Sequence, residues 1–263
     1  MQIRATIKLI ASTTIANTFN SQHTRICKFV VHSTMGEAEI NIQSSQLTIH
    51  SHIITYGNAA TAELTAQIRD EIETMWNEPK AVLELAGRAL QVVFKITGEV
   101  RKDITELDVY QNLDPRNNYF RIEEYVHGNI SFVDAIGCNS GYWKLENLYP
   151  GSTTAAHEYG HTIGLEHPHH LDIRGKGIPG IMYPRGTLVD ASFQYDPAKP
   201  AGVTGGTMHP IYRKVLMQDI LDLKLHKLKF TNNRAIVGEF TNVYHWNHAD
   251  MGADNFIQPP VQG

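Results

Sequence analysis

Apolar and polar residues alternate at the start of the chain. Ile3, Ala5, Ile7 and Leu9 fall on one side and Gln2, Arg4, Thr6 and Lys8 on the other, the period of a half-buried strand. Further short apolar or alternating runs come at Ile26–His32, Ala38–Gln43 and Leu47–Tyr56, broken by Gly36 and the Gln/Ser cluster at 43–46. Residues 1–56 are therefore predicted to be β-rich, as an N-terminal extension or as part of the main sheet. The period changes at Asn58. Leu64, Ile68, Ile72, Met75 and Trp76 form a stripe at helical spacing and Pro79 ends it, which predicts a helix over Asn58–Asn77. Val82–Leu85 and Leu90–Thr97 flank Ala86-Gly87-Arg88 and read as a hairpin. Gly98–Asn118 is polar and reads as loop. Tyr119–Val126 and Ile130–Ile136 are predicted as the last two strands before a helix with capping candidates in Gly151-Ser152-Thr153-Thr154. Ile211, Val215, Leu216, Ile220 and Leu223 share one face of a further helix over His209–Lys227, with Pro210 near its start. A turn at Thr231–Arg234 then suggests a hairpin before a polar tail with His245, Trp246 and His248. The pattern as a whole is α+β, in three stretches: 1–56, 57–230 and 231–263.

Composition narrows the function classes. A chain of 263 residues has room for one substantial core, its formal charge is −4, and no basic block points to nucleic acid or an anionic membrane surface. No run of eighteen apolar residues exists, so no membrane span is expected. Lys8 interrupts what would be the apolar core of a leader, so the N-terminus reads as a strand and no signal peptide is expected. Cys27 and Cys138 stand in no C-x-x-C pair and read as ordinary thiols. His50 and His52 share one face of a predicted strand and read as surface histidines. Asp103, Glu106, Asp108 and Asp114 are the hard oxygen ligands that calcium (Ca2+) takes, but their spacing matches no calcium loop and they read as solvated loop. No internal repeat is present.

The chemistry gathers between Thr153 and Tyr183. His157 and His161 are four apart, so on a helix both rings lie on one face and each can offer a nitrogen to one small cation. Glu158 falls beside that face, able to reach a metal-held water without ligating the metal. Gly164 tolerates φ > 0, ends the helix and turns the chain back, and His167 then arrives as a third nitrogen. Three protein ligands leave a fourth position open, the mark of a catalytic zinc (Zn2+) site. His169 and His170 compete for the third place, but the Gly164 offset favours His167. Asp172 is weighed as an orienter of a ligating imidazole and equally as half of a loop ion pair.

This constellation resembles the metzincin zinc endopeptidases, whose extended motif H-E-x-x-H-x-x-G-x-x-H is matched by His157, Glu158, His161, Gly164 and His167. Ile181-Met182-Tyr183-Pro184 is similar to the family's Met-turn, in which a methionine lies beneath the ligands. Met-Tyr-Pro is matrixin-like, and Pro168 after the third histidine is serralysin-like. Pro184 stands where astacins and serralysins place a further tyrosine ligand. The resemblance implies a catalytic domain over 57–230 with a twisted mixed sheet and a helix backing it. It also implies an active-site helix, a C-terminal helix and an antiparallel edge strand, Tyr119–Val126, that lies along the cleft and takes an extended peptide. It implies one catalytic zinc, a protein or peptide substrate and an extracellular setting.

The expected activity is endopeptidase hydrolysis, with Glu158 as the base that activates a zinc-held water. Tyr159 and Tyr183 are phenols within reach in sequence, and packing is the favoured role for both. Met182 reads as a packing floor. Two rival readings are a secreted toxin or effector whose zinc domain acts on or binds one host protein, and a metal-stapled binding module. Glu158 speaks against the second, since a structural site needs no base.

Overall fold

The computed structural model describes residues 36–250 apart from Ala86 and Phe240; the strands predicted at 2–9 and 26–32, and Cys27, lie outside the described residues. Among the described residues the fold is α+β, a mixed sheet of eight strands with helices on its faces. Its spine is β2 (Gln46–Tyr56), the longest of the near-N-terminal strands. One side of β2 pairs in parallel with β4 (Arg88–Val100), which makes an antiparallel hairpin with β3 (Val82–Leu85). Its other side is shared end to end by β1 (Glu37–Asn41), antiparallel, and β5 (Asn117–Glu123), parallel. Beyond β5 come β7 (Ser140–Lys144), parallel to it, and then β6 (Phe132–Val133), antiparallel at the edge. A last strand, β8 (Arg234–Ile236), pairs antiparallel with β1.

Alternation along β2 sorts the two faces. Leu47, Ile49, Ser51 and Ile53 point to the principal core, where α1 (Ala62–Asn77) lays down Ile68, Ile72 and Trp76. Burying side chains of this size is worth about 1.5–3 kcal/mol each. The helix starts at Ala62 because the Thr61 hydroxyl accepts the Leu64 N–H at 3.1 Å and caps it. On this face Trp76 lies 5.2 Å from Phe94, and Phe120 stacks on Trp143 at 3.9 Å. The opposite face holds Ile54, Tyr56 and Tyr119, covered by Val109 of α2 (Glu106–Tyr110) and by Tyr244. Residues 241–250 run across this face. The N–H groups of Val243, His245 and His248 bond the hydroxyls of Ser140, Tyr56 and Tyr142 at 3.2, 2.9 and 3.2 Å.

Three expectations change. The strand Tyr119–Val126 is not an edge: β5 lies between β2 and β7, parallel to both, and every residue from Asn118 to Glu123 is buried. The edge belongs to β6, shorter than the predicted Ile130–Ile136 and preceded by a single helical turn at His127–Asn129. It can come close because Gly141 faces it, where a Cβ would meet the Phe132 carbonyl oxygen at 2.4 Å. The polar stretch 98–118 is not all loop, since β4 runs on to Val100 and Thr105 with Asp108 forms a capping box that starts α2. The helix predicted over His209–Lys227 is broken into a turn at Pro210–Tyr212, α4 (Met217–Asp222) and a turn at Leu225–Lys227. Arg213 and Leu216 are extended between the pieces. Among the described residues no helix is long and apolar enough to cross a membrane.

Candidate metal centre

The histidine-bearing helix, α3 (Thr154–Thr162), is buried along its whole length. Its first turn has no side-chain cap of its own, and Thr153 before it sits at φ 57°. Glu71 of α1 supplies the missing acceptor, with Oε1 3.2 Å from the Ala156 N–H and a further bond from the Ala155 N–H. A carboxylate at this end also complements the helix dipole, worth about 0.3–1 kcal/mol and up to ~2 when partly buried. Burial raises the Glu71 pKa, and those two N–H groups and Arg213 oppose the rise. The Trp76 indole N–H donates to the Ala156 carbonyl at 3.1 Å and ties the same two helices together.

The far end closes as a Schellman motif. The Gly164 N–H reaches the His161 carbonyl at 3.1 Å, and the Leu165 N–H reaches that of Gly160 at 2.9 Å, with Gly164 at φ 102°. The reversal places the Leu165 carbonyl 2.7 Å from His161 Nδ1. The Ile181 carbonyl lies at the same distance from His157 Nδ1. Each Nδ1 therefore carries the proton and donates it, which leaves each Nε2 as a bare lone pair. Both lone pairs point at His167 Nε2, 3.1 Å from each. The ligand atoms of the three residues lie within 4.8 Å of one another. One N–H on His167 can satisfy at most one of the two acceptors, so the convergence suits a cation better than a hydrogen-bond network. Tetrahedral zinc with Zn–N near 2.0–2.1 Å would hold such nitrogens about 3.3 Å apart, so the donor set fits.

Burial keeps these imidazoles neutral. It is the first cause that lowers all three pKa values: His157 well below the usual range, His161 to about 4, and His167 more modestly. The Arg213 cation and the neighbouring rings push the same way. Burial raises the Glu158 carboxyl to about 8, against the pull of Arg213 and Arg185.

Arg213 is the residue that sequence reasoning missed. Its guanidinium is buried and bonds Thr153 Oγ1 at 2.8 Å, the Tyr183 carbonyl at 3.3 Å and the Ser152 carbonyl at 3.4 Å. The start of α3 is thus tied to the segment Ile181–Tyr183, with the Pro210 carbonyl accepting from Thr153 Oγ1 at 2.8 Å. A β-branched residue at positive φ costs on the order of 1–3 kcal/mol, and these two bonds hold Thr153 there. Burial draws the Arg213 pKa down to about 10, still a cation at neutrality, while Glu158 and Glu71 counter the fall.

The other sequence candidates take lesser places. Tyr159 points into the core with its hydroxyl 2.9 Å from Ser51 Oγ, and Tyr183 packs beside Ile173, Val189 and Met208. His169 and His170 are exposed and stand outside the cluster. Asp172 is taken by Arg174 at 2.5 Å, so the orienters of His157 and His161 are backbone carbonyls and not this carboxylate. His50 and His52 face Glu39 and Glu99 on the outer side of the sheet. Asp108 is spent on the Thr105 cap and Asp114 on Arg116. Cys138 is a buried thiol, raised to about 11 by its burial.

No family model matches the chain, and no curated protein matches it. Among solved structures it is similar to the archaemetzincin of Methanopyrus kandleri, at 12% identity and a TM-score of 0.36, over 67% of this chain and 95% of that one. So slight a likeness carries no weight beside the geometry of the three histidines.

Met182 lies directly under α3. A Cβ at Gly160 would meet Met182 Sδ at 2.3 Å and Trp76 Cζ2 at 3.2 Å, so the glycine permits the contact. Gly160→Ala is expected to overpack the site by about 1–3 kcal/mol and lower the melting temperature by roughly 2–4 °C for each of those kcal/mol. Gly186→Ala, whose Cβ meets nothing within 4 Å, is the control and should melt like the parent. Identical melting of all three proteins would mean that Met182 does not press on the helix.

Proposed function

We propose that the chain is a zinc-dependent endopeptidase that hydrolyses peptide bonds of protein or peptide substrates, with His157, His161 and His167 as metal ligands and Glu158 as general acid–base. The observation that carries the reading is the meeting of three imidazole nitrogens, two with their tautomer fixed by carbonyls, one residue along the chain from a buried carboxyl. A zinc ion, when bound, polarises a carbonyl, makes a water acidic and draws a neighbouring carboxyl pKa down. Glu158 then takes the proton of the attacking water and gives it to the departing amine. Burial of the site excludes bulk water and strengthens every charge interaction there. Arg213 holds the start of α3 against Ile181–Tyr183, so His157, its carbonyl partner and Glu158 move as one unit.

Glu158→Gln preserves volume and removes the base. The variant should retain zinc by elemental analysis and lose about 10²–10⁴-fold in peptide cleavage. A zinc-replete variant with full activity would sink the assignment.

Acid should strip the metal. An imidazole whose folded-state pKa lies below its unfolded value favours the neutral folded form, so its contribution is complete above the ordinary 6.5 and is lost as pH falls toward about 4, where His161 protonates. Zinc retained after dialysis is expected to hold near neutrality and to fall as pH passes through about 4. Retention that stays flat well below pH 4 would contradict three histidine ligands.

A further inference from the structure

Arg185 is an exposed cation close enough to the site for its charge to act on Glu158. It occupies the second position of a tight turn over 184–187, closed by the Thr187 N–H at 3.0 Å and the Thr187 hydroxyl at 2.7 Å on the Pro184 carbonyl. The turn follows directly on Ile181 and Tyr183, whose carbonyls hold His157 and Arg213, so the guanidinium rides on a fixed piece of chain. Its Nη2 donates to a neutral acceptor, Asn147 Oδ1, at 3.2 Å, in the helical turn Leu145–Asn147 that precedes α3. Among the described residues no carboxylate pairs with it, and Glu146, which feels its charge, is bonded to Lys144. A guanidinium has five N–H donors in a planar fork that matches a carboxylate. Here most of that fork is open.

The surroundings favour the same ligand. The Arg185 charge is felt by Glu158, His209 and Tyr195. Tyr149 and Tyr195 are 39% and 42% exposed, and His209 lies 4.3 Å from the Tyr195 ring, an aromatic wall beside the cation. Of the two cations, Arg213 is buried and already faces the carboxyls of Glu158 and Glu71, whereas Arg185 is exposed and has no carboxylate bonded to it among the described residues. We infer that Arg185 selects substrates that carry a carboxylate close to the scissile bond, on the side of the cleft walled by Tyr149, Tyr195 and His209. An Asp or Glu side chain and a free C-terminus offer the same chemistry. This inference rests on the peptidase reading, and its test separates the two.

Fluorescently labelled octapeptides of Ala and Gly, amidated at the C-terminus, would carry one Glu, Gln or Lys moved through each position. A neutral octapeptide with a free C-terminus forms the second arm. Cleavage by the zinc-loaded enzyme and binding to its Glu158→Gln form, followed by anisotropy, are both read. The expected result is a Glu-over-Gln preference of about tenfold at one position, the scale of one charge-assisted hydrogen bond. Arg185→Gln should level that ratio, Arg185→Glu should turn it toward Lys, and raising the salt should shrink it. A tenfold gain confined to the free C-terminus would assign the carboxylate to the chain end. Binding and cleavage that ignore the carboxylate, or a preference that survives Arg185→Gln, would overturn the inference. Carboxylate-selective binding without any cleavage would uphold Arg185 and remove the peptidase reading instead.

Discussion

The Nδ1 protons of His157 and His161 are committed to the carbonyls of Ile181 and Leu165, each at 2.7 Å, and much of the molecule serves to keep those two carbonyls in place. The Leu165 carbonyl is set by the Schellman turn at Gly164. Ile181 is gripped on its N–H side by Asp219 of α4, which accepts that N–H and, at 2.7 Å, the N–H of Leu216. Burial raises the Asp219 carboxyl to about 6, which those two N–H groups resist. A carboxylate in α4 thus acts on an imidazole through the backbone of one residue, Ile181.

The site concentrates electrostatic cost. Three imidazoles turn their Nε2 atoms toward one point beside a buried guanidinium and a buried carboxyl. Each unpaired polar group in such a place is expensive. A divalent cation resolves most of that cost at once, since it satisfies the lone pairs and favours the ionised Glu158. The same concentration explains why α3 needs outside help. Its N-terminal N–H groups are met by Glu71 from α1, and the strained Thr153 is held by Arg213 from the far side of the chain.

What was legible in the sequence is what is local. The spacing of His157, Glu158, His161, Gly164 and His167 is read along one helix and one cap, and the structure brings the three imidazoles together as that spacing predicts. Arg213 was not legible because Ser152 and Thr153 lie some sixty positions away and nothing in its own neighbourhood marks it. The apolar stripe over 209–227 has helical period, yet Arg213 turns inward to reach those partners and the helix breaks there. The edge strand was misplaced because a strand's order in the sheet is not written in its pattern. One signal was available: Asn117–Glu123 lacks a clean alternation, as a parallel strand covered on both faces does. The strand Ser140–Lys144 was missed altogether, since Gly141 interrupts it and only Tyr142 and Trp143 mark it as buried.

The central claim is that one metal sits among His157, His161 and His167 with a position left for a light ligand. X-ray absorption at the zinc edge of the loaded protein tests it most directly. The account predicts a first shell of nitrogen and oxygen near 2.0–2.1 Å, outer-shell scattering from three imidazoles, and no sulfur at about 2.3 Å. The spectrum should be unchanged when His169 and His170 are both replaced by alanine. Sulfur in the first shell, or a spectrum that loses an imidazole in that double variant, would contradict it.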